Sequence, residues 1–221
     1  MAFEVAPSVP YSIQAADIIR SRILRGDYKL GERLNEVEVS SSLGISRSPI
    51  REALRTLAEE GLVRLVSGRG VFVASFPVEE IRELLELREA LDVLAAQLVA
   101  ARADGEDIRT LERCLNGLAA SRQSDEAAAR PWSTDFHLAI LDLAGNSKLR
   151  EVGRSVHTQI RLARFRSGAA GDRGDAAHAE HLAILEALRD HDGAEAEKRV
   201  RAHSLHGAEH ILLTLAEDSA N

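Results

Sequence analysis

Three histidines in the C-terminal half of the chain lie on apolar helix faces and could together bind a metal ion. Apolar or small residues recur at helical spacing around each one: Ile140, Leu141 and Ala144 around His137, Leu182, Leu185 and Leu188 around His181, and Val200 and Gly207 around His203. Neutral imidazole binds zinc, nickel or manganese, and three imidazoles leave coordination positions open for water or a ligand oxygen. Three histidines on inward faces of three different helices are hard to explain as chance core residues, and they could together hold a divalent metal. The stretch TDFHLAI, taken alone, instead favours His137 as a polar core residue.

A second group of candidate residues is basic and lies near the N-terminus. Two serines and two arginines cluster at the start of one predicted helix: Ser46, Arg47, Ser48 and Arg51. Backbone N–H groups and the helix dipole favour anions there, and an arginine can pair with guanine through two hydrogen bonds. Arg69, between two glycines of a tight turn, adds a basic tip. The group indicates DNA binding. The alternative is that the arginines are solvated charges paired with Glu52 or Glu59.

A third set of residues could bind a small effector molecule. Arg88 in LELREALD suits the carboxylate of an organic acid, although an ion pair with Asp92, one helical turn on, explains it equally well. Further candidate effector contacts are Asn146, His157 and Arg161.

The elements that must position these residues fall into two domains, 1–75 and 76–221. In the first, periodicity predicts helices over 13–26, 36–44 and 46–61 and a β-hairpin over 62–75. Asn35 and Ser46 are the predicted N-caps of the second and third helices, and Gly44 is the predicted end of the second. This order is typical of a winged helix-turn-helix. In the second, helices are predicted over about 77–105, 106–121, 125–144, 147–167, 176–190 and 194–217. Their short joints predict an antiparallel bundle of about six helices, so the fold class is mainly α.

Charge and composition limit the function classes. The net charge of −7 divides into +1 for residues 1–75 and −8 for residues 76–221, which fits a DNA contact limited to a local patch. A single cysteine, Cys114, excludes an internal disulfide framework and fits a reducing compartment. The N-terminal stretch lacks the pattern of a signal peptide, and the longest apolar run is too short to span a bilayer. We expect a cytoplasmic protein.

The N-terminal motif resembles a known family. The stretch LGERLNEVEVSSSLGISRSPIREALRTLAEEGLVRLVSGRGVFVA is similar to the DNA-binding domain of GntR-type bacterial transcription regulators. The resemblance implies operator contacts by Ser46, Arg47, Ser48, Arg51 and Gly70, with Arg33 as a phosphate contact. Some branches of the family have an arginine where this chain has Val37.

The C-terminal half resembles the all-helical (FCD-type) effector domain of the FadR branch of that family, through ELLELREALD, FHLAILDLAGNSKL and EHLAILEALRDHD. Many members hold a divalent metal through an aspartate, a histidine four residues later and two further histidines. This implies His137, His181 and His203 as ligands, but Ser133 replaces the aspartate, and Asp135 cannot share the face of His137. The site is then a three-histidine site completed by water, a site that recruits His157, or a weak site.

These patterns predict a homodimeric, cytoplasmic transcription regulator, a repressor that a small organic acid releases from palindromic operator DNA. Two alternatives remain at this point. A metal-dependent enzyme could use the open three-histidine site to activate water, although no HExxH motif or inward-facing general base stands out. A bundle that serves only dimerisation, with a vestigial pocket, would explain Ser133.

Overall fold

The computed structural model describes residues 9–121, 136–166 and 174–220. The chain divides into two compact units, Met1–Ser75 and Phe76–Asn221. The described parts are mainly helical with a small N-terminal sheet, which confirms the predicted fold class. No helix among these residues is both long enough and apolar enough to cross a membrane.

The first unit is a winged helix-turn-helix. Its described elements are α1 (Tyr11–Leu24), β1 (Arg33–Leu34), α2 (Glu36–Leu43), α3 (Arg47–Glu59), β2 (Val63–Val66) and β3 (Gly70–Val73). Helices α1 and α3 pack together and bury their apolar faces, with Ile19 and Ile23 of α1 and Ile50, Leu54 and Leu57 of α3 almost fully inaccessible to water. Burial of such side chains contributes about 1.5–3 kcal/mol each relative to exposure. This core fixes the position of α3.

The predicted helix ends around α2 are confirmed. The side-chain oxygen of Asn35 accepts a hydrogen bond from the backbone N–H of Val37 at 3.0 Å, and its amide donates to Glu38 at 2.9 Å. Gly44 ends the helix with φ +67°. Ser46 occupies the N-cap position of α3, but its side chain makes no capping hydrogen bond, contrary to the predicted cap. The hydroxyl of Ser46 therefore does not satisfy the first turn of α3.

The wing is a three-stranded antiparallel sheet in the order β1-β3-β2. The predicted hairpin of β2 and β3 is confirmed, with Leu65 opposite Val71. Sequence reasoning missed β1, where Arg33 pairs with Phe72. A two-residue strand is too short to show apolar alternation, so only its partner reveals it.

The second unit is a helical bundle. Its described helices are α4 (Val78–Ala100), α5 (Gly105–Ser121), α6 (Phe136–Leu143), α7 (Ser147–Arg166), α8 (Gly174–Arg189) and α9 (Gly193–Ala220). Helix α4 packs against α6, α7, α8 and α9, and thus lies against every element that carries a candidate metal ligand. The predicted start of the third bundle helix, near residue 125, lies outside the described residues.

Candidate metal centre and nucleic-acid interface

The structure brings the three predicted histidines together inside the second unit. His137 comes from α6, His181 from α8 and His203 from α9. The Nε2 atom of His137 lies 3.1 Å from Nε2 of His181 and 3.0 Å from Nε2 of His203, and the remaining Nε2–Nε2 distance is 3.3 Å. The apolar residues predicted to share these helix faces are buried, namely Ile140, Leu141, Ala144, Leu185, Leu188 and Val200, and their packing aims the three rings at one point. The exception is Leu182, which is 45% exposed, so the prediction that it faces inwards was wrong.

Two of these rings have a carboxylate next to Nδ1, the ring nitrogen that does not face the other histidines. Nδ1 of His203 donates a hydrogen bond to Oε2 of Glu180 at 2.8 Å. Nδ1 of His137 lies 3.4 Å from Oδ2 of Asp92. A carboxylate only accepts hydrogen bonds, so a neutral ring in this position has its proton on Nδ1 and a lone pair on Nε2.

Asp92 of α4 is the buried anion of the site. Its side chain is 4% exposed, and its other oxygen, Oδ1, accepts a hydrogen bond from Nε2 of His157 at 2.7 Å. Burial alone would raise the pKa of the Asp92 carboxyl, but His157 and His137 together hold that pKa well below its ordinary value. Asp92 is therefore ionised at neutral pH and links α4 to α6 and α7.

His181 and His203 are neutral at physiological pH. Burial lowers the pKa of both, and repulsion from His137 lowers each pKa further. The ring of Phe136, fully buried beside His137, lies with its centroid 5.0 Å from that of His181 and restricts its rotation. Neutral, restrained imidazoles are the form in which histidine binds metal ions.

The donor set fits a divalent transition metal. Zinc–nitrogen distances are about 2.0–2.1 Å, so two imidazole nitrogens on one ion, at angles from octahedral to tetrahedral, lie about 2.9–3.4 Å apart. The three Nε2–Nε2 distances of 3.0–3.3 Å lie in this range. Histidine ligands whose second nitrogen donates to a carboxylate are the usual arrangement in protein metal sites.

His157 lies behind His137 and does not point its Nε2 at the three converging nitrogens. Its Nε2 contacts Asp92, and its ring stacks on that of His137 with a centroid distance of 5.4 Å. Asp92, His137 and His157 form a second group with metal-ligating potential. Ser133 and Asp135 lie outside the described residues.

Arg88 lies beside the cluster, buried with 6% exposure. Its positive charge contributes, after burial and the neighbouring histidines, to the lowered pKa of His181. Its Nη2 lies 3.5 Å from the backbone oxygen of Ser204, the residue after His203. The two oxygens of Asp92 contact His157 and His137. An effector contact by Arg88 stays a prediction.

The other predicted effector residues have different surroundings. Asn146 is exposed, and its side-chain oxygen caps α7 by accepting from the backbone N–H groups of Lys148 and Leu149, both at 3.1 Å. Arg161 is partly buried on α7, one turn after His157 and on the same face. An effector contact by either residue stays a prediction.

In the first unit, the two arginines of α3 share one carboxylate. Nε of Arg51 donates to Oε2 of Glu36 at 2.7 Å, and Nη2 of Arg47 lies 3.4 Å from the same oxygen. The predicted alternative partners were Glu52 and Glu59, but the carboxylate that holds both arginines belongs to α2. Ser46 and Ser48 are exposed at the same end of α3.

The wing residues form a second basic group. The guanidinium of Arg33 lies against Gly70, where a Cβ atom would come within 3.2 Å of Arg33 Nε. Gly70 also has φ +108°, so both its backbone and the space beside it favour glycine. Arg69 is exposed next to it.

Comparison with protein families identifies both units. Residues 12–73 match the bacterial regulatory proteins of the gntR family, and residues 83–206, more than half of the chain, match the FCD domain. The chain belongs to the GntR family. Its FCD domain contains all three histidines of the cluster.

Relatives of this GntR-family regulator cover both of its domains. It is 29% identical over 221 residues to the uncharacterized HTH-type transcriptional regulator YdhC of Bacillus subtilis (strain 168), covering 99% of each chain. It is 31% identical over 176 residues to the Nta operon transcriptional regulator of Aminobacter aminovorans, covering 80% of this chain and 82% of that one. A more distant relative, the repressor RspR of Escherichia coli (strain K12), is 25% identical over 207 residues, covering 90% of this chain and 88% of that one.

A solved structure shares the fold. A GntR regulator of Rhodococcus sp. RHA1 superposes with a TM-score of 0.74 at 25% identity, covering 91% of this chain and 97% of that one. The matching domains and relatives are transcription regulators, so this GntR-family chain is a regulator and not an enzyme.

Sequence reasoning missed the contacts of three carboxylates of the regulator: Glu36, Glu180 and Asp92, the last of which it considered only as a partner of Arg88. Asp92 had a signal, because an acid inside the apolar run LDVLAAQLVAA is buried and needs a partner. For Glu180, the sequence gives no signal beyond its position next to His181.

Proposed function

We propose that this GntR-family regulator is a homodimeric repressor whose FCD domain binds a divalent metal and a small organic acid. His137, His181 and His203 would hold zinc, nickel or manganese. The exposed residues of the helix-turn-helix and wing would bind palindromic operator DNA: Arg33, Ser46, Arg47, Ser48, Arg51, Arg69 and Gly70. The repressor assignment is supported by relatives that bear that name, RspR among them.

The observation that carries the proposal is the meeting of three Nε2 atoms. The Nε2 atoms of His137 and His203 lie 3.0 Å apart, while the Nδ1 atoms of both rings face carboxylates, and in neutral rings this arrangement turns two lone pairs towards each other. Such lone pairs repel one another at this distance, and only a shared proton or a cation offsets the repulsion. A divalent cation satisfies all three rings at once, and its charge is balanced by Asp92 and Glu180.

The class of effector follows from the charge beside the cluster. A bound dication and the guanidinium of Arg88 would place two positive groups next to one another in a largely buried site. An anion with two or more oxygens can bind both, and the planar fork of arginine matches a carboxylate. In a metal-loaded site, the acid would bind through its oxygens at positions that the three histidines leave open.

Regulation requires that the acid prefer one state of the protein. An effector that binds the DNA-bound and DNA-free states with equal affinity does not shift the equilibrium between them, however tightly it binds. We propose that the acid binds better to the state with low operator affinity, so that the two sites are coupled in free energy.

Arg88→Lys is expected to weaken effector binding about tenfold, because lysine keeps the charge but loses the paired hydrogen bonds to a carboxylate. The measurement is a thermal-shift screen of small hydroxy-, keto- and dicarboxylic acids on zinc-loaded protein, followed by titration of the best acid. Release of operator DNA by that acid is measured in parallel. A matched control is Arg154→Lys, whose partner is the exposed Asp142. If no acid stabilises the protein or releases DNA, the bundle serves only dimerisation.

Light scattering without DNA is expected to give twice the chain mass of 24.1 kDa. A palindromic operator requires two recognition helices about one DNA turn, roughly 34–36 Å, apart, and one chain supplies only one of them. A monomer at micromolar concentration would contradict the homodimer.

A further inference from the structure

One acidic residue lies inside the basic group of the helix-turn-helix. Glu36 is the first residue of α2, and its Oε2 contacts Nε of Arg51 and Nη2 of Arg47 at 2.7 and 3.4 Å. The side chain of Glu36 is 26% exposed, whereas those of Arg47 and Arg51 are 55% and 58% exposed. The carboxylate thus lies beneath two guanidinium groups that face solvent.

This carboxylate halves the local positive charge. The hydrogen bond from Arg51, opposed by slight burial and helped by the charges of both arginines, lowers the pKa of Glu36 from its ordinary value. Glu36 is ionised at neutral pH, so the group of three carries one net positive charge instead of two. Phosphates attract such a group less strongly than they attract two unpaired arginines.

The contact also leaves the reading edge of Arg51 open. The hydrogen bond to Glu36 uses Nε, on the side of the guanidinium. The two terminal nitrogens of Arg51 make no hydrogen bond to any described residue, and these nitrogens form the edge that pairs with O6 and N7 of guanine. Glu36 therefore restrains the arginine without occupying the edge that reads bases.

We propose that Glu36 is a specificity-determining residue of the DNA-binding surface. Its negative charge weakens binding to phosphates of unrelated DNA, and its contacts orient Arg51 and Arg47 towards base edges. DNA with the correct bases then gains the arginine–base hydrogen bonds, while other DNA meets a surface of reduced charge. This inference rests on the proposed contact of Arg47 and Arg51 with the operator.

Glu36 also lies in the first turn of α2, where any acid interacts favourably with the helix dipole. Glu38 lies in the same turn, and its hydrogen-bond partner is Asn35 and neither arginine. Glu38→Gln is therefore a control that matches Glu36→Gln in charge, helix and turn.

The experiment compares the two variants with wild type on operator DNA, selected from a random pool, and on unrelated DNA of equal length over a series of salt concentrations. Glu36→Gln is expected to bind unrelated DNA about threefold to tenfold more tightly, with the slope of log K against log salt steeper by about 0.9. Operator affinity should stay within about twofold of wild type, so the specificity ratio falls. Glu38→Gln should keep the wild-type ratio.

Two outcomes overturn the inference. The first is a specificity ratio for Glu36→Gln equal to that of Glu38→Gln, and the second is an equal change on both DNAs, which would indicate only a structural role in α2. Thermal unfolding of both variants shows whether they fold alike. Arg51→Ala tests the premise that Arg51 contacts the operator. If this variant binds operator as tightly as wild type, Arg51 does not contact DNA, and the proposed function is wrong at this residue whatever Glu36→Gln shows.

Discussion

Metal-free His203→Ala is expected to bind zinc about 100-fold or more weakly than the metal-free wild type. The variant loses one of three converging nitrogens, and it also leaves Glu180 without the ring that it orients. Loss of a carboxylate that contacts the second nitrogen of a ligand histidine typically costs about 10–100-fold in metal affinity, so Asp92→Asn should fall in that range. Calorimetric titration with zinc, nickel and manganese measures both effects.

The matched control for this prediction is His206→Ala. His206 lies three residues further along α9, is exposed, and contacts the other oxygen of Glu180 at 2.8 Å. Its removal should leave the affinity near that of wild type. If His203→Ala retains full occupancy, or if His206→Ala loses as much affinity, the three histidines do not form the site. In that case His137 is a core residue.

The second large effect is expected on DNA. Arg47→Ala should cost about 1–3 kcal/mol on the operator and relax specificity at one position in each half-site, because a base-reading arginine loses its paired hydrogen bonds. Arg69→Ala removes the same charge from the wing tip. It should weaken binding to all DNA more evenly and reduce the salt slope by about 0.9.

Binding of operator and unrelated DNA by both variants, at several salt concentrations, separates the two roles. Equal losses for Arg47→Ala on operator and unrelated DNA would contradict base reading and leave Arg47 as a phosphate contact. If Arg69→Ala loses more specificity than Arg47→Ala, then Arg69 is the residue that reads a base and Arg47 is the phosphate contact.

The helical pattern of the sequence was enough to predict that the three histidines face the core, and the resemblance to the FCD-type domain implied that they meet. Each lies on an apolar face, and apolar faces of neighbouring helices have only the shared core to occupy, so His137 and His203 had to turn inwards. The same reasoning identified the winged helix-turn-helix, because caps and β-branched runs act over a few residues.

The partners of these residues could not be predicted, because they depend on which helices become neighbours. Asp92 reaches His137 and His157 only through the packing of α4 against α6 and α7, 45 and 65 residues away in the chain. Glu36 and Arg51 meet because of the angle between α2 and α3, which the turn GIS alone does not encode. Local sequence patterns specify which face of a helix is buried, whereas side-chain contacts between helices depend on the tertiary packing.

The three Nε2 atoms come from positions separated by 44, 66 and 22 residues along the chain. An ion bound to them would act as a reversible cross-link that closes long loops, which is where cross-links restrict the unfolded chain most. At a free metal concentration 100 times the dissociation constant, binding only to the folded form adds about 2.7 kcal/mol to stability. The resistance of α6, α8 and α9 to unfolding and proteolysis would then depend on how much metal the cell supplies.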